Sequence, residues 1–470
     1  MSRPAKILET PHLMSQAPTV AAAPTAAIVL AAGIGSRMKS ALPKVMHRIA
    51  GRPMVNHVLA TLASERITPV VVVVGPDMDI VTKAVEPHQA VIQKDRLGTG
   101  HAVLQAKNAL AAFTGDILIV YGDTPFVAAA TIAKMRTARL AGDKPSVVVL
   151  GFSPSDPGAY GRLIMKGDSL ERIVEAKDAT PEELKCGLCN SGIILADANV
   201  LWKLLADVTP NNSKNEYYLT DIVGLARKAG LACGVVEGAA DELMGINSRV
   251  ELAAAEAIFQ NNLRRRALEN GATMTAPETV YLSADTKIGR DVEIGPFTVF
   301  GPGVVIDDNV SIKGFCHFEG AHLAAGSVVG PYARLRPGAD IGPDAHVGNF
   351  VEVKNATLES GAKVNHLSYI GDARVGAKAN VGAGTITANY DGFNKSHTDI
   401  GAGASIGSNT VLVAPVKVGD GAMTGAGSVV RKNVPADALA LNEGRQETRE
   451  GFAAKYRKTK QAQKDAAKKK

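Results

Sequence analysis

The 470-residue sequence predicts two unlike domains in tandem, a Rossmann-like α/β domain and then an all-β parallel β-helix of hexapeptide repeats. Two observations predict this. Short β-rich runs alternate with helical segments as far as about Asn247, and from about Ile288 a hydrophobic residue recurs at every sixth position. Composition agrees: 46% hydrophobic and 21% charged residues can bury cores, and 47 glycines with only 4% aromatics suit a large region of regular turns.

Residues 1–25 are Ala-, Pro- and Thr-rich without periodicity and read as a disordered leader. The first domain is expected over 26–248. Ala27–Leu30, Val70–Gly75, Asp116–Tyr121 and Ser146–Phe152 read as buried strands, because they are short, apolar and β-branched or bounded by turn residues. Met54–Glu65 and His101–Phe113 carry apolar residues at helical spacing. This alternation predicts a mainly parallel sheet with helices on both faces and a ligand site at the carboxyl ends of its strands.

Residues 249–271, rich in Ala, Glu, Leu and Arg and ended by Gly271, read as one linking helix. The β-helix is expected over 272–450. Ile288, Ile294, Phe300, Ile306, Ile312 and Phe318 start the period. After a slip, Val329, Leu335, Ile341, Val347 and Val353 continue it, then Leu358, Val364 and Ile370, then Val375 and Val381. Ile400, Ile406, Leu412, Val418, Thr424 and Val430 complete it. A period of six suits neither a helix nor a flat strand; three such repeats make one triangular coil around a shared core. Thr387–Asp399 interrupts the repeat with polar residues, and a solenoid places such insertions on one face, often a binding face.

The net charge of +6 misleads if taken whole. Residues 451–470 carry eight basic residues and one acid, so this basic tail holds +7 and the rest about −1. A solvated tail, not a basic face, sets the charge, which argues against a nucleic-acid partner. No apolar run reaches the length of a membrane span. Four cysteines make no disulfide framework; Cys186 and Cys189 form a lone C-x-x-C, without the second pair of a zinc site. Reduced thiols and a cytoplasmic home are expected.

The first strand runs into Leu30-Ala31-Ala32-Gly33-Ile34-Gly35-Ser36-Arg37-Met38. Gly33 and Gly35 let the backbone approach a phosphate. No Gly-Lys-Ser/Thr follows, so this is no Walker loop, and the third glycine of a dinucleotide fingerprint is missing. Arg37 and then Lys44 add two cations, which suits a triphosphate with a pyrophosphate leaving group. The pattern LAAGxGxRM…PK resembles the sugar-nucleotidyltransferase family. That resemblance implies that Leu30, Ala31, Ala32, Gly33, Gln93, Gly98 and Thr99 hold UTP. Tyr121-Gly122-Asp123 ends a strand, where the Asp can hold Mg²⁺. Gly161, Glu175, Asn190 and Asn247 match segments holding the sugar, with Asn247 implied as the second Mg²⁺ ligand. Arg37 and Lys44 would neutralise charge during transfer.

The second half is similar to the acyltransferases of the left-handed β-helix fold. From about Ala26 to Val434 the chain resembles the family of bifunctional N-acetylglucosamine-1-phosphate uridyltransferase / glucosamine-1-phosphate N-acetyltransferases. The resemblance implies His366 as the base for acetyl transfer, an imidazole able to take the amine proton near neutral pH. Arg336 and Lys354 resemble the pair that binds the sugar phosphate, and Tyr369, Asn380 and Lys395 match further contacts. Ala383, Asn389, Tyr390, Ser408 and Ala426 match acetyl-CoA contacts. Glu443 stands where many members carry an Arg for the CoA phosphates, so the CoA-phosphate contact is left open, with Arg445, two residues on, as the candidate for it. A homotrimer sharing the acetyl-transfer site between subunits, and small molecules as the other partners, are implied likewise. Two other readings use the same domains. In one, a nucleotidyltransferase for another sugar carries the β-helix as an oligomerisation or regulatory module; such enzymes usually lack the His366, Asn389-Tyr390 and Lys395 constellation. In the other, the chain is a binding scaffold docked through its tail, which deletion of the tail would test.

Overall fold

The structure, a computed structural model, describes residues 23–442 and 448–467. Most of the leader, Glu443 and Arg445 lie outside the described residues. The chain divides into two compact units, Met1–Phe259 and Gln260–Lys470. The division falls inside the expected linker helix, which spans Arg249–Glu269. Glu256 accepts from the Ala50 N–H and Phe259 packs on His57, both within the first unit. Gln260 and Arg264 instead bond the backbone of Leu282 and Val280 in the second. The helix is thus shared by the two units rather than set apart.

In the first unit, β1 (Thr25–Leu30), β2 (Val70–Val74), β3 (Gln89–Ile92), β4 (Asp116–Tyr121) and β5 (Val147–Phe152) are joined by β6 (Arg162–Lys166), β7 (Ser169–Val174), β8 (Cys189–Asp197) and β9 (Cys233–Glu237). The main path of this nine-stranded sheet is β9-β5-β8-β4-β1-β2-β3. Neighbours on the path are parallel except that β8 is antiparallel to both β4 and β5. The sheet is therefore mixed: β8 is entered from the antiparallel β6–β7 pair, so no crossover helix precedes it.

The side chains of β1 alternate between two cores, Ala26, Ile28 and Leu30 on one face and Ala27 and Val29 on the other. Helices cover both faces. The α1 (Met54–Ser64), α2 (Asp79–Ala84) and α4 (Ala129–Leu140) helices supply Val55, Val81 and Ile132 to one core. The α3 (Thr99–Gln105), α5 (Ala198–Ala206) and α6 (Asp221–Lys228) helices supply Val103, Leu201 and Ile222 to the other. The α3 helix is shorter than the expected His101–Phe113. Ala106 and Leu110 are still buried at helical spacing, but the bonds tighten to Ala106–Val103 and Lys107–Leu104 and the segment continues as turns.

In the second unit the period of six becomes three stacks of inward side chains. One runs Ile294, Ile312, Val329, Val347, Val364, Val381, Ile406. A second runs Ile306, Leu323, Ile341, Leu358, Val375, Ile400, Val418. The third holds Phe300, Phe318, Leu335, Val353 and Ile370. All belong to one continuous buried core. Each rung pairs in parallel with the rung one coil away, the arrangement of a parallel β-helix. The slips in phase are rungs shortened by one residue: Leu323, Leu358 and Val375 follow Phe318, Val353 and Ile370 by five. Only 389–397 of the interruption leaves the coil, since Thr387 and Thr398 are fully buried in rungs. The basic tail contains a helix, Phe452–Ala467, exposed over 452–462. The four cysteines are unpaired, and burial pushes the Cys233 and Cys316 thiols up to about 11.

Candidate functional site

A cavity of about 530 Å³ opens at the carboxyl ends of β1, β3 and β4. It is lined by Leu30, Ala31, Ala32, Gly33, Lys44, Gln93, Gly98, Thr99, Tyr121, Asp123, Glu175, Asn190 and Asn247. These residues span most of the first unit, so the sheet gathers segments that the sequence holds far apart.

Local packing explains the gathering. A Cβ on Gly33 would meet nothing within 4 Å, so its backbone stands open to a ligand, whereas Gly35 at φ 69° packs on the Lys44 stem. Gln93, 4% exposed, donates to the Gly98 carbonyl, and Gly98 lies so close to Tyr217 that a side chain there would clash. Tyr121 is pushed well above the usual phenol range by burial and by the Asp123 and Glu175 carboxylates. Burial also raises Glu175, against a hydrogen bond from Thr220. Asn190 is held through its N–H by the Gly161 carbonyl, and its Oδ1 accepts from the Gly192 N–H.

Asn247 precedes a capping box at the start of the long helix. Glu251 accepts from the backbone of Asn247 and Ser248, while Ser248 Oγ accepts from Glu251. The Asn247 amide nitrogen donates to the Gly245 carbonyl at 3.1 Å, which turns Oδ1 toward the cavity. There the Lys44 ammonium bonds both Asp123 and, at 2.9 Å, Asn247 Oδ1. Three expected residues lie elsewhere. Arg37 is exposed and is not among the lining residues. Gly122 is buried beneath, its N–H on the Leu30 carbonyl, and Gly161 acts through Asn190. Sequence reading passed over Arg96, Lys214, Glu216, Tyr218 and Thr220, which also line the cavity. The polar run from Asn211 to Thr220 was the available signal.

On the β-helix, one corner column contains Asn349, His366, Ala383, Ser408 and Ala426, each two residues beyond a paired inward position. Asn349 and His366 are register partners, and His366 Nδ1 lies 2.9 Å from Asn349 Oδ1. A second column holds Arg336, Lys354 and Gly371. Arg336 is paired with Glu352. Lys354 is lowered by the adjacent Lys395 ammonium, which places two cations side by side. Asp372 bonds Asn355 and Asn389, and Asn389 also reaches the Tyr369 hydroxyl at 3.5 Å. Tyr390 and Lys395 bridge the base of the inserted loop. Asn380 is exposed on the rung next to Lys363.

The family models agree with this division. A MobA-like NTP transferase domain matches residues 27–179, and the bacterial transferase hexapeptide model matches 285–320 and 397–432. The bifunctional protein GlmU of Paramagnetospirillum magneticum is 61% identical over 95% of this chain and 99% of its own. The chain belongs to the bifunctional GlmU family. The GlmU of Rhodospirillum rubrum is 63% identical over 92% of this chain and 97% of its own, and that of Azorhizobium caulinodans 54% over 92% and 96%. As a GlmU, the chain transfers acetyl from acetyl-CoA to glucosamine 1-phosphate and uridylyl from UTP to N-acetylglucosamine 1-phosphate, making UDP-N-acetylglucosamine.

Proposed function

We propose that uridylyl transfer takes place in the cavity of the first unit with Mg²⁺ held by Asp123 and Asn247. The observation that supports this is the placement of Lys44, whose ammonium draws both oxygens onto one cationic atom. Two protein oxygens suit a metal that keeps waters and takes its remaining ligands from phosphates. When bound, the metal would stabilise charge on the phosphates. The chain's own residues do the rest. The backbone of Ala32 and Gly33 faces the triphosphate, Gln93, Gly98 and Thr99 read the uracil edge, and Glu175 and Asn190 orient the sugar. A phosphate oxygen of the sugar 1-phosphate attacks the α-phosphorus of UTP. The bond to the β-phosphate oxygen breaks, and pyrophosphate leaves with that electron pair while Lys44 balances its charge. Chelation with EDTA should abolish uridylyl transfer, with Mg²⁺ restoring it, and leave acetyl transfer running. Uridylyl transfer that survives chelation would refute the metal assignment.

Acetyl transfer is assigned to the His366 column. Asn349 Oδ1 can only accept, so Nδ1–H of His366 donates to it and Nε2 keeps its lone pair for the substrate amine. The amine attacks the thioester carbonyl, its proton passes to Nε2, and the C–S bond breaks as coenzyme A leaves and takes the proton. Arg336, Lys354 and Lys395 hold the phosphate dianion. Acetyl-CoA would lie along Ala383, Ser408 and Ala426 with Asn389 and Tyr390 at its reacting end; Arg445, outside the described residues, keeps its expected place on the CoA phosphates.

A homotrimer is the assembly this reading favours. Phe297, Phe315, Tyr332 and Phe350 form an exposed stack with centroids 4.9, 5.0 and 5.2 Å apart, continued by exposed Leu367 beside His366. Sedimentation of the full chain should give three copies, and a monomer active in acetyl transfer would refute a shared site. No helix among the described residues is long and apolar enough to cross a membrane. The proposed reactions need UTP and acetyl-CoA, and on that ground this reading puts them in the cytoplasm.

A further inference from the structure

Arg96 has no role in the scheme above, yet its surroundings are built around it. It follows Gln93 by three residues and precedes Gly98 by two, so it lies within the segment that reads the base and itself lines the cavity. Its side chain turns back over the end of β2. There Gly75 leaves it room: a Cβ on Gly75 would lie 2.6 Å from Arg96 Nη2 and 3.2 Å from the Ala32 carbonyl oxygen. Beyond Gly75, Arg96 Nε donates to the Ala32 carbonyl at 2.9 Å. Ala32 is the residue before Gly33, at the mouth of the glycine loop.

The guanidinium has no acidic partner among the described residues, and that one hydrogen bond is the only one it makes there. The other cations near the loop differ. Lys44 is paired with Asp123, and Arg37 stays exposed outside the lining. A guanidinium fixed at Nε still offers Nη1 and Nη2 as a planar pair of donors, the fork that matches phosphate oxygens.

We propose that Arg96 binds the β- and γ-phosphates of UTP, and hence the departing pyrophosphate, while its Nε hydrogen bond holds the glycine loop in place. This rests on the assignment of the cavity to uridylyl transfer. It gives one side chain two coupled tasks: the loop is set by the same group that meets the leaving group.

The test compares wild type with Arg96→Ala, Arg96→Lys and Gly75→Ala in the full chain. UTP and UMP are the binding probes, and KM is measured for UTP and N-acetylglucosamine 1-phosphate forward and for pyrophosphate in reverse. Loss of charge-assisted hydrogen bonds to phosphate predicts weaker UTP binding and a higher pyrophosphate KM in Arg96→Ala, by about 10- to 100-fold. UMP affinity and the sugar phosphate KM should change less than about threefold, since neither ligand carries the phosphates in question. Arg96→Lys, which keeps the charge without the fork, should fall between. Gly75→Ala, whose methyl group would press on Nη2, should displace the guanidinium and give a smaller loss of the same kind. Unchanged UTP and pyrophosphate constants in an active Arg96→Ala enzyme would overturn the proposal. So would equal losses for UMP and UTP, which would mean a merely structural role. A wild-type chain that acetylates but forms no UDP-sugar would instead overturn the assignment of the cavity, and Arg96 with it.

Discussion

Asn349 accepts from His366 Nδ1, and in the proposed acetyl transfer that contact would leave Nε2 as the nitrogen that takes the proton. His366→Ala should lower acetyl transfer at least about 100-fold, in the range of a lost general base, while uridylyl transfer stays at the wild-type rate. Thiol release from acetyl-CoA and pyrophosphate release from UTP measure the two separately. Asn349→Ala should have a smaller effect of the same kind, because the imidazole can then take either tautomer. Since a lone histidine in a hexapeptide turn reads as a solvated residue, His366 was legible only through the family resemblance of the segment around it. Asn349 was not, since its role appears only when the coil closes and puts it next to a residue seventeen positions on. Arg96 was hidden for the same reason: only the sheet brings it to Ala32.

Rungs and strands carry a second set of consequences. Leu335 is fully buried beside Arg336, and Leu335→Ala should cost about 2–5 kcal/mol by denaturant unfolding of the β-helix. Gly348→Ala is more specific. Its Cβ would stand 1.9 Å from the Asn365 carbonyl oxygen, so the backbone next to His366 must shift. Acetyl transfer should fall in this variant while the uridylyl-transfer rate is unchanged. On another face His322 lies between Asp340 and Asp307, at 2.9 and 3.0 Å. Partial burial lowers its pKa, but the two carboxylates outweigh this and the net shift is upward. The imidazolium is therefore favoured by folding. Its contribution is complete below the ordinary histidine value of about 6.5 and is lost as pH rises through the raised one. The Tm gap between wild type and His322→Gln should be widest near pH ~5.5 and close toward pH ~8. Four strands of the first unit, β1, β2, β4 and β5, were legible as apolar runs, whereas the other five were not read. The antiparallel sense of β8 was not, because strand direction depends on what connects the strands rather than on the residues within them.

At the scale of the whole molecule, the two units divide one helix between them and carry one activity each. A lesion in either cavity or column should therefore leave the other reaction intact, and the paired assays above examine this in both directions. The six-residue phase announced the second unit plainly, since each period is local. The first unit's cavity drew on residues from Leu30 to Asn247, and in the sequence only its glycine loop taken with Arg37 and Lys44 pointed to phosphate.

The stacked columns also turn the β-helix into a graduated rail. Along the column of Asn349, His366 and Ala383 each coil advances the chain by seventeen residues and the axis by one strand spacing, about 4.8 Å. The step from Ala383 to Ser408 is 25 only because the extra residues loop outward at Tyr390. Length is thus quantised here. A single inserted residue on a rung turns an inward aliphatic outward, while a whole added coil slides everything beyond it by one notch and leaves the alignment of corners intact. In the proposed acetyl-transfer site, the distance between the base and the far end of the acetyl donor would be set by counting coils.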